Sequence, residues 1–239
     1  MLEGSSGPAA VPADRPGRRL SGLLERRPWV GGAAIAILAL ALNLAGNART
    51  GLWDRDEPRY AVAVREMRGS GNWVVPSYNG QPRYHKPILI YWLMGLSTAL
   101  AGDSPFGLRL VSAAAGAGTC VLAWGLGRRL LGTRGGLLAG LMLAVAPIMV
   151  VESKLATTDA TLAFFLVACQ ACLLRLADRP SAWAAGTFWA CLGLAILTKG
   201  PVGPALLAGS SLLAWWWGWP LGTAWRRLHP GAASRGCSP

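Results

Sequence analysis

Long apolar runs separated by short charged segments restrict the possible folds of this chain more than any other feature of its sequence. Six runs of 17–22 residues stand out, at 29–46, 106–127, 135–151, 157–174, 181–198 and 201–219. A helix needs about 20 apolar residues to cross the hydrocarbon of a bilayer, whereas a barrel strand needs about 9–11. Only helices and closed barrels satisfy their backbone hydrogen bonds there. The runs therefore predict an all-α polytopic membrane protein with about six spans.

The charge of the chain bears on its partners. The formal net charge is +12, yet 53% of the residues are hydrophobic and only 14% are charged. A basic nucleic-acid-binding domain would not be this apolar, whereas basic residues that flank apolar runs are typical of oriented membrane proteins. We therefore predict membrane lipids as partners, and no nucleic acid.

The arginines also predict which ends of the spans face the cytoplasm, because positive residues concentrate in cytoplasmic loops. With a cytoplasmic N-terminus and six spans, the inner joints carry Arg128, Arg129, Arg134, Arg175, Arg179, Arg226 and Arg227. The further apolar run 88–101 is about 14 residues, or about 21 Å of helix, which is too short to cross. Counting it as a span would also move these arginines outside. We predict an interfacial or re-entrant helix there, on the outer face.

The ends of the chain differ from its apolar centre. Residues 1–28 are rich in Gly, Pro, Ala and Arg, and they predict a disordered cytoplasmic leader before the transmembrane domain 29–219. Residues 220–239 lack apolar periodicity, which predicts an irregular tail produced by truncation or a frameshift.

The outer loop, 47–105, begins with a strongly basic segment that contradicts the charge rule. Between 47 and 87 it holds seven basic residues, Arg49, Arg55, Arg59, Arg65, Arg68, Arg83 and Lys86, against four acids, Asp54, Asp56, Glu57 and Glu66. Either a longer loop crosses regardless of its charge, or this surface receives anionic groups such as lipid phosphates. Asp56-Glu57-Pro58 predicts a helix start, with an acidic cap and a first-turn proline, and Gly69 and Gly71 predict its end.

Several motifs occur in a fixed order along the chain. They are Asp56-Glu57-Pro58-Arg59-Tyr60-Ala61, Gly71-Asn72-Trp73-Val74-Val75-Pro76, Tyr84-His85-Lys86-Pro87 before Tyr91-Trp92-Leu93, Arg109-Leu110-Val111-Ser112, Gly127-Arg128-Arg129-Leu130, Thr158-Asp159 and Thr198-Lys199-Gly200-Pro201. Over about residues 29–219 this combination resembles the bacterial aminoarabinose transferase and protein mannosyltransferase superfamily, whose members have the membrane-embedded GT-C fold.

The resemblance implies an inverting glycosyltransferase of the bacterial inner membrane. A sugar would move from a polyprenyl-phosphate carrier to a lipid A-like glycolipid or a protein, at a periplasmic or extracellular loop. Asp56 would assist the acceptor, although a helix cap alone also explains an Asp at that position. Lys86 would hold the carrier phosphate with help from Arg59, and the alternative for Lys86 is snorkelling at a helix end.

The same resemblance implies three further roles. Asp159 would be a second catalytic acid, unless it only caps a helix that starts near Thr161, and Lys199 would reach the same phosphate. A divalent metal of unknown identity is also implied, with His85 and Glu57 as candidate ligands. His85 stands where relatives carry Glu, and imidazole suits Zn better than Mg.

Two alternatives stay open at this point. The chain could be a small polytopic transporter or a non-catalytic membrane scaffold, although transporters tend to place ionisable groups at the bilayer midplane. Family members generally have about twice as many spans, so we expect that this polypeptide is incomplete and inactive alone.

Overall fold

The structure is a computed structural model that describes residues 27–52, 56–219 and 221–228. The predicted leader at 1–28 lies almost entirely outside these residues, as does most of the predicted tail. The described part of the chain holds nine helices: α1 (Pro28–Leu44), α2 (Glu57–Ser70), α3 (Leu89–Ala101), α4 (Pro105–Val145), α5 (Pro147–Lys154), α6 (Asp159–Asp178), α7 (Ala182–Lys199), α8 (Val202–Trp216) and α9 (Leu221–Arg226). A two-stranded antiparallel hairpin, β1 (Ser77–Tyr78) and β2 (Gln81–Pro82), lies between α2 and α3.

Helix α4 is a folded pair of arms rather than one rod. Gly132 interrupts it with φ 77° and ψ −177°, a backbone conformation that only glycine adopts readily. The arms 105–131 and 133–145 then run side by side: a Cβ placed on Gly136 would lie 2.7 Å from the backbone N of Arg128. The sequence prediction of two spans joined near 128–134 is confirmed.

The predicted run 135–151 is not one continuous helix, which corrects the sequence analysis. Ala146 leaves the helical conformation, with φ −63° and ψ 124°, and α5 begins at Pro147. A residue that precedes proline is disfavoured in the α region, so the break follows from the local sequence. The second arm of α4 and the short α5 together cover this passage.

The chain runs back and forth along the bundle. Near the end of α1, Asn43 Nδ2 donates to Ala113 O near the start of α4 at 3.2 Å, while Gly31 at the start of α1 lies against Trp124. Likewise, Asp159 at the start of α6 meets Lys199 at the end of α7. We call the end formed by 44–52, 56–109, 154–159 and 199–202 the loop end, and the end formed by 128–134, 175–181 and 225–228 the arginine end.

The arginine end brings the predicted inner joints together. Arg129 forms an ion pair with Asp178, and Arg227 Nη1 donates to Leu176 O at 2.7 Å and Ala177 O at 3.1 Å. The prediction that these joints share one end of the bundle is confirmed.

The loop helices pack as a unit at the loop end. Their shared core consists of Tyr60, Ala61, Ala63, Val64, Met67, Ile90, Tyr91, Met94, Leu108 and Ala156. Both α1 and α4 meet there, because Arg109 contacts Asn47 and Thr50. The segment between them therefore leaves and re-enters the bundle at the same end, so the run 88–101 does not cross, as predicted.

Length and apolarity mark α4, α6 and α7 as able to cross a membrane among the described helices. Helices α1, α3 and α8 are apolar but shorter. At 1.5 Å per residue, the 17 residues of α1 span about 26 Å and the 15 residues of α8 about 22 Å. Because α4 supplies two arms, six segments alternate in direction through the bundle.

The predicted irregular tail is wrong for residues 221–228. The short helix α9 covers Leu221–Arg226 of this stretch, and Leu221, Ala224 and Leu228 are buried. Trp189 Nε1 donates to Leu228 O at 3.2 Å, and the Trp225 ring packs edge-on against Phe188. A six-residue helix is too short to show apolar periodicity, so its tertiary contacts rather than a sequence pattern fix it.

Candidate active site

A buried ion pair anchors the loop end. Arg109 donates from Nε and Nη2 to the two carboxylate oxygens of Glu57, each at 2.8 Å, and the side chains are 2% and 0% exposed. The remaining donors of Arg109 reach Asn47 O at 3.2 Å, Thr50 O at 2.9 Å and Gly51 O at 2.8 Å. One side chain thus joins the end of α1, the start of α2 and the start of α4.

Glu57 has a structural role in place of the metal-binding role that the sequence suggested. Besides both bonds from Arg109, its Oε1 accepts the backbone N–H of Ala156 at 2.7 Å. A fully buried carboxylate with both oxygens engaged cannot also face an open metal site. The sequence could not separate Glu57 from its neighbour Asp56, because both are acids at a helix start.

Asp56 lies next to the buried Glu57–Arg109 pair, but its own side chain is partly exposed. It precedes α2, yet its side chain makes no capping hydrogen bond, so the helix-cap explanation is wrong. The carboxylate is 39% exposed, and its ion pair with Arg59 is long, with Nη1–Oδ1 at 3.4 Å. Asp56 is therefore an accessible carboxylate whose backbone is held in place by a buried neighbour.

Asp159 and Lys199 come together although 40 positions separate them. Their side chains form an ion pair. Helix α6 begins at Asp159 itself, so Asp159 does not cap a helix that starts near Thr161, and that alternative is wrong. Lys199 occupies the last turn of α7, where a cation also favours the helix dipole. Both side chains are partly exposed at the loop end.

A tyrosine cluster connects these two acidic positions. Tyr60 follows Asp56 by one turn of α2, and its ring packs on Tyr91 with centroids 5.5 Å apart. Burial raises the pKa of Tyr60, as do the neighbouring Tyr91 and Asp56, while the Arg83 charge and, to a lesser degree, the Thr158 hydroxyl beside it lower the pKa. Tyr60 is therefore a neutral phenol between Asp56 and the residue that precedes Asp159. Tyr60 and Tyr91 occur within the sequence motifs, but the sequence alone predicts no role for them at the site.

The segment before α3 carries the remaining predicted residues. Lys86 is half-buried and His85 is exposed. Within the described residues, the Lys86 ammonium forms no ion pair or hydrogen bond.

A metal site was predicted around His85. The described residues contain no group of three His, Cys, Asp or Glu side chains placed to hold a metal, and Glu57 is committed to Arg109. The described residues therefore do not form a complete metal site. A divalent metal remains a prediction, with His85 as its one accessible candidate ligand.

These observations define a class of protein: a multi-pass α-helical membrane protein with a set of accessible charges at one end of its bundle. Residues 85–224, more than half of the chain, match the family model described as dolichyl-phosphate-mannose-protein mannosyltransferase. The chain belongs to this family.

Individual relatives agree with that assignment. A protein of Aquifex aeolicus is 33% identical over 171 residues, which cover 70% of this chain and 33% of the relative. The undecaprenyl phosphate-alpha-4-amino-4-deoxy-L-arabinose arabinosyl transferase of Pseudomonas paraeruginosa is 34% identical over 182 residues, covering 74% of this chain and 32% of that protein.

A solved structure supports the fold. The crystal structure of ArnT from Cupriavidus metallidurans bound to undecaprenyl phosphate matches 87% of this chain and 39% of its own, with a TM-score of 0.71 and 32% identity. The predicted all-α GT-C membrane fold is confirmed, in a multi-pass inner-membrane protein. The chain spans about a third of the length of the curated relatives that it matches.

Proposed function

We propose that this chain contributes the catalytic loop of a glycosyltransferase that moves a sugar from a polyprenyl-phosphate carrier to a lipid or protein acceptor. The observation that carries the proposal is the state of Asp56, an exposed carboxylate without a capping bond beside a buried anchor. The arabinosyl transferase relatives and the undecaprenyl phosphate in the solved structure support the class of donor.

The proposed reaction is a single displacement at the anomeric carbon of the sugar. An acceptor oxygen forms the new bond to this carbon while the bond to the carrier phosphate breaks, and the phosphate leaves with the electron pair. Where the acceptor is a hydroxyl, Asp56 takes its proton. Where the acceptor is already an anionic phosphate, no proton need be removed, and Asp56 orients the reacting groups.

The cations of the loop end would hold the leaving phosphate. Lys86 is the strongest candidate because its ammonium has no partner within the described residues. Arg59 is also exposed and bound only weakly to Asp56. Lys199 is compensated by Asp159, so we propose that this pair shapes the site electrostatically and that Lys199 contacts the phosphate only if the pair opens.

The arginine end would face the cytoplasm and the loop end the opposite side. The arginine-rich joints meet at one end of the bundle, and positive residues favour the cytoplasmic side. Cysteine-accessibility labelling tests this orientation. With the native cysteines removed, Asn79→Cys should react with an impermeant reagent added outside, and Thr133→Cys should react only after the membrane is opened. The reverse pattern would overturn the orientation.

The main experiment measures sugar transfer from a labelled polyprenyl-phosphate donor. It uses the 239-residue chain and a chimera in which residues 27–219 replace the matching part of the Cupriavidus protein. We expect Asp56→Asn to lower the transfer rate by about 10²–10⁴-fold for a hydroxyl acceptor, measured in whichever of the two proteins, the chain or the chimera, transfers sugar. Asn preserves the shape of Asp but carries no charge and takes no proton.

The control is Asp103→Asn, which removes another exposed carboxylate of the same loop, one that pairs with Arg65. It should transfer at nearly the wild-type rate, at matched expression and melting temperature. Transfer by Asp56→Asn at the wild-type rate would remove Asp56 from the reaction. Solute flux in proteoliposomes, together with no transfer by either protein, would favour the transporter instead.

A further inference from the structure

Arg83, directly after β2, is held more tightly than the other cations of its segment. The residue is 8% exposed. Its backbone N–H donates to Pro76 O at 2.7 Å, and its Nε donates to Tyr91 Oη at 3.1 Å. The guanidinium carbon lies 5.9 Å from the ring centre of Tyr60 and 5.7 Å from that of Tyr78. Two aromatic faces and a phenol thus fix the position of the charged group.

This buried charge has no carboxylate partner within the described residues. Glu66, on the neighbouring α2, accepts instead from Ser77 Oγ at 2.5 Å and from the Gly80 N–H at 3.3 Å. Arginine cannot lose its proton in a protein, and a buried charge is costly unless it is paired. Aromatic faces offset part of that cost, but they do not neutralise the charge.

The outer donors of Arg83 remain free to bind. Its Nη groups make no hydrogen bond to any described residue, and they are not among the enclosed polar atoms that lack a partner. They are therefore not fully enclosed by the protein. Other arginines of the loop end differ, since Arg65 pairs with Asp103 and Arg109 with Glu57.

The groups around Arg83 belong to the candidate active site. Tyr60, on which it stacks, follows Asp56 by one helical turn and has the Thr158 hydroxyl beside it. Lys86 follows Arg83 by three residues. The two cations therefore belong to the same short segment that precedes α3.

We propose that Arg83 is an additional anion-binding residue of this site, which donates from its Nη groups to a phosphate oxygen of a lipid substrate. This proposal rests on the proposed function. A planar guanidinium suits phosphate better than a point charge does, because it presents paired donors. Lys86 supplies mobile charge, and Arg83 supplies a donor of fixed direction.

The test measures lipid binding by the 239-residue chain in nanodiscs without added carrier. The probes are undecaprenyl phosphate and its neutral alcohol, undecaprenol. We expect Arg83→Gln to weaken binding of the phosphate about 10- to 100-fold, the range expected for a hydrogen bond to a charged group, and to leave undecaprenol binding unchanged. Arg83→Lys should recover part of the loss. Arg65→Gln is the matched control and should bind both probes as wild type does.

A second pair of probes separates the two possible sources of the phosphate. Lipid A with and without its phosphate groups reports on an anionic acceptor. A loss by Arg83→Gln limited to undecaprenyl phosphate assigns Arg83 to the donor, and a loss limited to phosphorylated lipid A assigns it to the acceptor. Equal losses for charged and neutral lipids would mean that Arg83 only supports the fold, and would overturn the proposal.

The remaining outcomes separate this proposal from the proposed function. If wild type binds undecaprenyl phosphate and both Arg83 variants bind each of the four lipids as tightly as wild type does, only the role proposed for Arg83 fails. If neither the wild-type chain nor the wild-type chimera binds a phosphate-bearing lipid, the carrier-dependent function fails with it.

Discussion

The two ends of the bundle both carry an excess of basic residues, but they hold them in different ways. At the loop end, Arg109 is buried against Glu57, and Arg83 is fixed between tyrosine rings. At the arginine end, Arg129 and its partner Asp178 are 34% and 59% exposed. Arg227 there binds carbonyls at the end of α6, at Leu176 and Ala177.

This difference shows what each set of charges can do. Exposed arginines need no fixed geometry to orient a protein in a membrane, because the orientation depends on how many there are and on which side. Charges that act on a bound substrate must be held in position, and their supporting residues are buried. The loop end has such support, whereas the described contacts of the arginine end are an exposed ion pair and bonds from Arg227 to carbonyls at the end of α6.

The largest expected effect comes from breaking the buried pair. Arg109→Met should lower the free energy of unfolding by about 3–5 kcal/mol, because it takes both guanidinium hydrogen bonds away from the buried Glu57 carboxylate. At the arginine end, Arg129→Gln should cost no more than about 1 kcal/mol, as expected for an exposed pair. Denaturant-induced unfolding in detergent measures both.

A double variant shows whether the ion pair itself is responsible. Glu57→Gln combined with Arg109→Met removes both charges and should be less destabilised than Arg109→Met alone. Recovery should be partial, because the carbonyls of Asn47, Thr50 and Gly51 still lose their donor. Equal losses in the free energy of unfolding for Arg109→Met and Arg129→Gln would contradict the view that the two ends of the bundle hold their charges differently.

The second comparison concerns binding of undecaprenyl phosphate. Lys86→Ala should weaken it about 10-fold, as expected for the loss of a hydrogen bond to a charged group, and Lys86→Arg should restore part of the affinity because the charge is kept. Arg226→Gln, at the arginine end, removes one positive charge far from the site and should leave affinity unchanged. Equal losses for Lys86→Ala and Arg226→Gln would show that the lipid responds to net charge rather than to a site.

The sequence predicted those features that depend on local pattern. The length of the apolar runs and the positions of the arginines were sufficient to predict the alternating bundle, its two ends and the short helix α3. The start of α2 at Asp56-Glu57-Pro58 and its end at Gly71 were also visible, because a first-turn proline and a left-handed glycine act locally, although the predicted capping bond from Asp56 is absent. Pro147 indicates a helix break at the preceding residue, Ala146. Hydropathy alone does not show this break, because it lies within a continuous apolar run.

Pairings between distant residues were beyond sequence reasoning. Glu57 and Arg109 lie 52 positions apart, and Asp159 and Lys199 lie 40 apart. A single sequence holds no signal that matches these partners, so Glu57 resembled an accessible acid as much as Asp56 does. The placement of Arg83 also depends on three tyrosines from separate elements, which meet only after α2, α3 and the hairpin have packed.

The smallest expected effect concerns Glu66, an accessible acid of the loop end that lacks a buried anchor. The Ser77 hydroxyl, and to a lesser degree the backbone N–H groups of Gly80 and Asn79, lower its pKa below the ordinary value of 4.5. A carboxyl with a lowered pKa stabilises the folded state above its unfolded pKa, and this contribution is lost as the pH falls through the folded pKa. Wild type should therefore melt slightly above Glu66→Gln at pH 6, and the difference should shrink as the pH falls below the ordinary pKa of 4.5. Thermal melts of both proteins across this range measure the effect, with Glu152→Gln as a control for an acid outside the loop. A difference that does not shrink as the pH falls would mean that Glu66 acts by its shape rather than by its charge, and that the hairpin is not held to α2 by this carboxylate.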